Sequence, residues 1–295
     1  MLEIKNFLRN NSIKPVRYKK NGKVTFIETD NERLVLKESN PPKDIFKLLE
    51  IRNFNYYPKV IARDNNYEIT EYIEEIELPN EQKLNDLIDL VSLLHNKTTY
   101  YKDINSSDNK KIYEDINNNI NYLGSYYDDI MTIIESKVYM SPSEYLLARN
   151  ISKVYYSIYT SKQYIDKWYN IIKDEKKGRV AVLHNNLRLS HFLRNKNSYL
   201  INWDKSTIDI PIFDIYKLCL RHSDVIDFEE ILKKYESNYP LQESEKYLLY
   251  SLLLLPEKIE FNKSEYKQTI DITIMIDRID KLLNFLSPEN FKERT

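Results

Sequence analysis

The sequence has little of two residues whose scarcity restricts chemistry: one cysteine, Cys219, and three glycines in 295 residues. A single cysteine excludes an intramolecular disulfide and any cysteine-based zinc site, and it fits a reducing compartment, where a buried thiol behaves as a small apolar side chain. Three glycines leave no glycine-bearing loop whose N–H groups would close over phosphates. Charge of one sign is lacking too. Lys and Arg number 44 against 45 Asp and Glu, interspersed to a net −1, so no basic field exists to neutralise a nucleic-acid backbone and nucleic acid is not expected as a partner. The greasiest run, Leu248 to Leu255, stops at Pro256, far short of the ~20 residues that span a bilayer. It reads as a buried helix, and no membrane association is expected. The opening residues as far as Arg9 carry Glu3 and alternating charges in place of the apolar core of a secretion signal, which predicts a cytoplasmic protein.

What is present suffices for a folded core, with 42% hydrophobic residues. After a short helix, three β-rich runs appear at Ile13 to Tyr18, Val24 to Glu28 and Arg33 to Lys37. Asn21-Gly22 between the first two signals a type I′ hairpin. Ile45, Leu48, Leu49 and Arg52 space a helix, and Lys59 to Arg63 and Tyr67 to Ile73 read as strands about the turn Asp64-Asn65-Asn66. From Asn80 the period changes, with Leu84, Leu87, Ile88, Val91, Leu94 and His95 on one helical face. Polar Tyr101 to Lys110 reads as a flexible link, and Ile112 to Ile130 as a helix with a kink or break at Gly124. Ser141-Pro142-Ser143-Glu144 predicts a capped helix start, with Lys176, Lys177 and Gly178 closing that helix. Further helices are expected over Phe213 to Arg221, Phe228 to Tyr235, Ser244 to Leu255 and Ser264 to Leu286.

Between these helices, Val180 to Asp214 holds a β-branched run ending at His184, a turn at Asn195-Lys196-Asn197, and an apolar strand ending in Asn202-Trp203-Asp204. The chain is thus expected to be α+β. Residues 1–78 would form a small antiparallel β lobe, and residues 79–295 a larger helical lobe containing the hairpin 180–214.

With this order of elements the chain resembles the aminoglycoside phosphotransferase and choline kinase branch of the two-lobed protein kinase-like fold. MSPSEYLLARNI (Met140 to Ile151), LHNNLRLSHFL (Leu183 to Leu193) and YPLQESEKYLLYSLLLLPEKI (Tyr239 to Ile259) resemble stretches of bacterial spore-coat kinases of that branch. The resemblance implies a nucleotide-phosphate lysine at Lys37, whose alternative is an ordinary strand lysine. Its acidic partner would be Glu50, with Asp44 the alternative, and Glu71-Tyr72-Ile73 would meet an adenine edge through backbone groups. The tight basic hairpin Lys19 to Lys23 stands where kinases have a glycine-bearing loop.

At the catalytic loop the spacing is kept and the charge is not. Counting from His184, Asn186 takes the catalytic Asp position, His191 the Asn position, and Asn202 the position of the metal-binding Asp. An amide at Asn186 has no useful basicity, where a general base supplies ~10²–10⁴-fold in rate. Asn202 offers a neutral carbonyl where Mg²⁺ wants anionic oxygen, and His191 suits Mn²⁺ or Zn²⁺ better. Side chains two apart on a strand share a face, so Asp204 could point where Asn202 points and hold the metal instead. The resemblance implies the alternative, a second acid that often follows the metal ligand at this spacing and belongs to a structural charge network. Arg188 could clamp a phosphate, or else close a salt bridge within the loop. His184 is expected to be structural, bonded to backbone, and Asp214 to brace a loop or cap a helix.

Two functions follow from the resemblance. One is a catalytically degenerate pseudokinase acting as a binding or scaffolding module, associated with the spore coat or another protein partner. The other is an active ATP-dependent phosphotransferase, acting on a hydroxyl of a small metabolite, with ATP and Mg or Mn as cofactors and its metal relocated.

Overall fold

In the computed structural model the chain is described for residues 2–38, 42–222 and 227–286. Met1 and the residues from 287 onward, counted above in the first and second lobes, lie outside them. Helix α1 (Leu2–Asn10) precedes strands β1 (Arg17–Asn21), β2 (Val24–Glu28) and β3 (Arg33–Glu38). Helix α2 (Lys43–Ile51) leads to β4 (Val60–Arg63), β5 (Tyr67–Glu71), α3 (Asn80–Thr98) and β6 (Tyr100–Asp103). Two long helices follow, α4 (Ser106–Glu135) and α5 (Pro142–Ile172), then short strands β7 (Lys177–Leu183), β8 (Phe192–Arg194), β9 (Ser198–Leu200) and β10 (Thr207–Asp209). Helices α6 (Ile212–Arg221), α7 (Phe228–Asn238), α8 (Glu243–Leu254) and α9 (Glu265–Phe285) complete the described chain.

Contacts divide these elements into two compact units, residues 1–99 with 181–209, and residues 100–180 with 210–295. This division puts the 181–209 hairpin with the first sheet, whereas grouping by element type puts it with the helices.

The first unit is built on a five-stranded antiparallel sheet in the order β1-β2-β3-β5-β4. Side chains alternate across a strand, so Leu34 and Leu36 of β3 bury on one face, with Ile27, Ile69 and Ala62, against Phe7 and Leu8 of α1. Each such Leu, Ile or Phe side chain is worth roughly 1.5–3 kcal/mol when removed from water. The same alternation turns Val35 and Lys37 to the other face, which carries the candidate site. The β8–β9 hairpin pairs Phe192 with Leu200 and Arg194 with Ser198, turning at residues 195–197 as expected. Beside it Ala181–Leu183 of β7 pair with β10.

In the second unit α5 packs on α4, α8 and α9. Its first turn is closed by the predicted capping box between Ser141 and Glu144. Small side chains let α5 and α8 approach closely, the Ser161 hydroxyl donating to the Ser251 carbonyl at 2.8 Å. The buried guanidinium of Arg278 donates to the carbonyls of Leu253 (3.0 Å) and Leu255 (2.9 Å) and to the Glu257 carboxylate, satisfying the end of α8. Among the described residues no helix is long and apolar enough to cross a membrane, and the apolar run from Leu248 is buried in α8.

Several boundaries differ from the sequence reading. The first strand lies at Arg17–Asn21, later than Ile13 to Tyr18, and its residues are all exposed, so burial leaves no pattern to read. Asn21 pairs with Val24, so the hairpin turns on Gly22-Lys23, and positive φ occurs at Gly22 alone. That is the type II′ requirement, not type I′. Tyr101 to Lys110 is no link: it holds β6 and the start of α4. Lys177 and Gly178 open β7 instead of closing a helix, and a side chain at Gly178 would run into Ile104. Helix α4 continues unbroken through Gly124.

Candidate functional site

Lys37 is the centre of the site. Adjacent in register to Glu68 across β3 and β5, it donates from Nζ to Asn202 Oδ1 at 2.6 Å. The sequence-predicted phosphate lysine and the residue at the metal position are therefore in contact. Burial pulls the Lys37 pKa below its ordinary value, while the charges of Glu68 and Asp204 act the other way. Glu68 is itself held by Arg63, whose Nε donates at 3.1 Å and whose guanidinium lies 4.3 Å from the centre of the Phe46 ring. Glu50 stands exposed on α2, and among the described residues no ion pair joins it to Lys37; Asp44 lies 3.9 Å from Lys47 instead. The acid beside Lys37 comes from β5, by a cross-strand register that local sequence does not reveal.

Asn202 owes its position to the backbone. Strand β9 ends at Leu200, and Asn202 takes left-handed φ and ψ of 67° and 56° before a 3₁₀ turn over Trp203–Lys205. Asparagine tolerates that region better than most residues. The buried Trp203 anchors the turn, donating from Nε1 to the Leu200 carbonyl at 2.9 Å and meeting the rings of Phe46, Phe54 and Tyr57 edge-on. An ammonium can only donate, so Asn202 gives its oxygen to Lys37 and turns its NH₂ to the other side. The strand alternation expected to align Asp204 with Asn202 fails, because the backbone has left the strand. Asp204 is exposed on the 3₁₀ turn, and its charge still reaches Lys37.

The loop before it is held by backbone bonds. His184 is fully buried, and its Nε2 lies 2.9 Å from the Ile201 carbonyl, the structural role expected. Asn185 takes a left-handed φ of 59° and donates from Nδ2 to Thr207 Oγ1 at 2.6 Å. His191 Nδ1 lies 2.7 Å from the Asn186 carbonyl. Since a carbonyl only accepts, Nδ1 carries the proton, and in the neutral form of the ring the lone pair is at Nε2. The Asn186 side chain is half-buried, Arg188 is exposed, and Arg188 makes no salt bridge among the described residues.

A cavity of about 380 Å³ opens beside Lys37. Apolar side chains of β2 and β3 (Val24, Phe26, Val35) and of the hairpin region (Leu193, Ile201) line it, together with polar Asn21, Lys37, Thr70, Glu75 and Asn202. Glu71, Tyr72 and Ile73 line it as well. The Glu71 carboxylate accepts the Lys59 N–H at 2.9 Å, and the Tyr72 N–H already donates to the Arg33 carbonyl at 3.0 Å. Sequence reading missed Thr70, Glu68, Leu193 and Ile201; only Val35, two residues from Lys37 on one strand, was open to a period-two argument.

No protein-family model matches the sequence, and no curated protein matches it. Solved structures match its fold over nearly the whole chain. An aminoglycoside phosphotransferase from Alicyclobacillus acidocaldarius subsp. acidocaldarius aligns with a TM-score of 0.71 at 11% identity, covering 98% of this chain and 95% of its own. A spectinomycin phosphotransferase, solved in complex with ADP and spectinomycin, aligns with a TM-score of 0.51 at 11% identity over 99% of this chain and 96% of its own. The choline kinase of Streptococcus pneumoniae aligns with a TM-score of 0.51 at 17% identity over 96% and 98%. These likenesses show the fold, the kinase-like α+β architecture of aminoglycoside phosphotransferases and choline kinases.

Proposed function

We propose that the cavity beside Lys37 binds a nucleotide, and that the chain is a degenerate kinase-like protein working as a binding or scaffolding module. In this reading its lobes run over 1–78 and 79–295. The observation that carries it is the bond from Lys37 to Asn202. The frame that would present a phosphate lysine to a metal-binding carboxylate is intact, and the carboxylate is an amide. A cavity lined largely by apolar side chains and by the Lys37 ammonium suits a purine nucleotide, and the spectinomycin phosphotransferase of this fold holds ADP in its own structure. With the Glu71 and Tyr72 N–H groups taken by the Lys59 and Arg33 carbonyls, the backbone edge for the base falls to the carbonyl side of Glu71 and Tyr72 and to Ile73, and Arg188 stands exposed for a phosphate.

Two features oppose efficient transfer. Asn186 cannot accept a hydroxyl proton, and a base is typically worth ~10²–10⁴-fold. The donor set also does not fit Mg²⁺: Asn202 gives its oxygen to an ammonium, and among the described residues no three His, Cys, Asp or Glu side chains come together to hold a metal. The spore coat is the setting proposed for such a module, on the resemblance of Met140 to Ile151 and Tyr239 to Ile259 to spore-coat kinases.

A second reading keeps the enzyme, with ATP and Mn²⁺ at His191 and Asp204 and a small hydroxylated metabolite as acceptor. It is favoured by the tautomer of His191, whose Nε2 lone pair is the one a metal would take. Thermal shift with ADP and ATP, followed by ADP-release assays over a panel of amino sugars and amino alcohols, separates the two. Binding without acceptor-dependent ADP release supports the module. Acceptor-dependent turnover with Mn²⁺ establishes the enzyme, and no nucleotide-induced shift refutes both.

A further inference from the structure

We propose that the nucleotide is taken without a divalent cation, its phosphate held directly by two donors, Lys37 Nζ and Asn202 Nδ2. The inference rests on the nucleotide reading above. A carboxylate at position 202 would repel a phosphate and need a cation between them. An amide removes that repulsion and adds donors. Its orientation is fixed by Lys37: with Oδ1 committed to the ammonium at 2.6 Å, the NH₂ faces away from it, and both residues line the cavity. Phosphate oxygens are acceptors only, so they match this pair. A divalent cation instead meets an ammonium and an N–H group.

The acids around the cavity do not restore a cation site. Glu68 is held by Arg63, Glu71 accepts the Lys59 N–H, and Glu75 pairs with Lys83. Asp204 is exposed on its 3₁₀ turn and acts on Lys37 through its charge. Asn21, at the end of the first hairpin strand, brings a second neutral amide to the cavity lining.

The test is calorimetric titration of the metal-free full chain with ADP and with ATP, in EDTA and in millimolar Mg²⁺ or Mn²⁺. Binding in EDTA that is unchanged or weakened by the cation is expected, since the cation competes for the charge that Lys37 reads. Asn202→Asp, isosteric and set to preserve the fold, should invert the response, losing affinity in EDTA and regaining it with Mg²⁺. Lys37→Met should cost about tenfold or more in affinity, the scale of a charged hydrogen bond; its folded state is checked by circular dichroism. Binding that appears only with Mg²⁺ or Mn²⁺, or an Asn202→Asp variant with no gain in metal response, overturns the inference and leaves the nucleotide reading standing. Absence of binding in every condition overturns the nucleotide reading itself.

Discussion

Lys37 reaches 2.6 Å from Nζ to the side-chain oxygen of Asn202, joining strand β3 to the left-handed turn that follows β9. The contact is between an ammonium and a neutral amide, in a setting where burial disfavours the charged amine. Replacing Asn202 by Asp puts an anion at the same distance and should raise the Lys37 pKa, because an opposite charge favours the protonated form. Lysine acylation rates measured against pH on the two proteins check this, with the Asn202→Asp profile displaced to higher pH. An unchanged profile would show that the two side chains do not face each other.

How much of this site could be read in advance depended on whether the information was local. The period-two pattern of Leu34, Leu36 against Val35, Lys37 is local, and it placed Lys37 on the cavity face. The loop spacing from His184 to Asn202 is local too, and it singled out Asn202, which contacts Lys37, and His191, which bonds the Asn186 carbonyl. Glu68 was invisible because it depends on β3–β5 register, a non-local choice. The error at Asp204 came from extending a strand through Asn202, whereas β9 ends at Leu200 and Asn202 is already left-handed. The exposed strands β1, displaced from its expected bounds, and β6, not expected at all, share another reason: neither face is buried, so no alternation is imposed.

Gly124 shows packing overriding propensity. Its place in the sequence predicts a kink or break, yet α4 runs on through it, with Ile120, Leu123 and Tyr127 on the buried side. A Cβ built at Gly124 meets nothing within 4 Å. Gly124→Ala should therefore stabilise the protein by about 0.5–1 kcal/mol, from helix propensity and lost freedom of the unfolded chain. Urea denaturation measures it, and destabilisation would mean that α4 needs the glycine.

Arg278 is buried, and its two terminal nitrogens serve two carbonyls and one carboxylate at the end of α8. Arg278→Met keeps bulk and removes the donors, leaving the Leu253 and Leu255 carbonyls without that partner. A loss of about 3 kcal/mol is expected, at ~1–3 kcal/mol for each buried group left unsatisfied. Lysine should not rescue it, because one ammonium cannot reproduce a planar fork that reaches several acceptors. Denaturation midpoints of Arg278→Met and Arg278→Lys decide this, and a near-normal lysine variant would make charge, not geometry, the cause.

The start of α5 supplies a pH test. The Ser143 N–H donates to Glu265 at 2.6 Å and holds that carboxyl below its ordinary range. Glu144 is lowered as well, first by its hydrogen bond with Lys137 and then by the Ser141 N–H. Both sit at a helix N-terminus, where the peptide dipoles favour negative charge. A carboxylate with a folded pKa below its unfolded value gives stability that is fully present above the unfolded value, near 4.3 for glutamate. That stability is lost as pH falls through the lowered folded value. Glu265→Gln should accordingly be less stable than the parent at neutral pH, and the gap should narrow steadily on acidification below about pH 4. Denaturation of the two proteins at a series of pH values measures the gap. A gap that stays constant would mean that Glu265 acts there by packing and not through its charge.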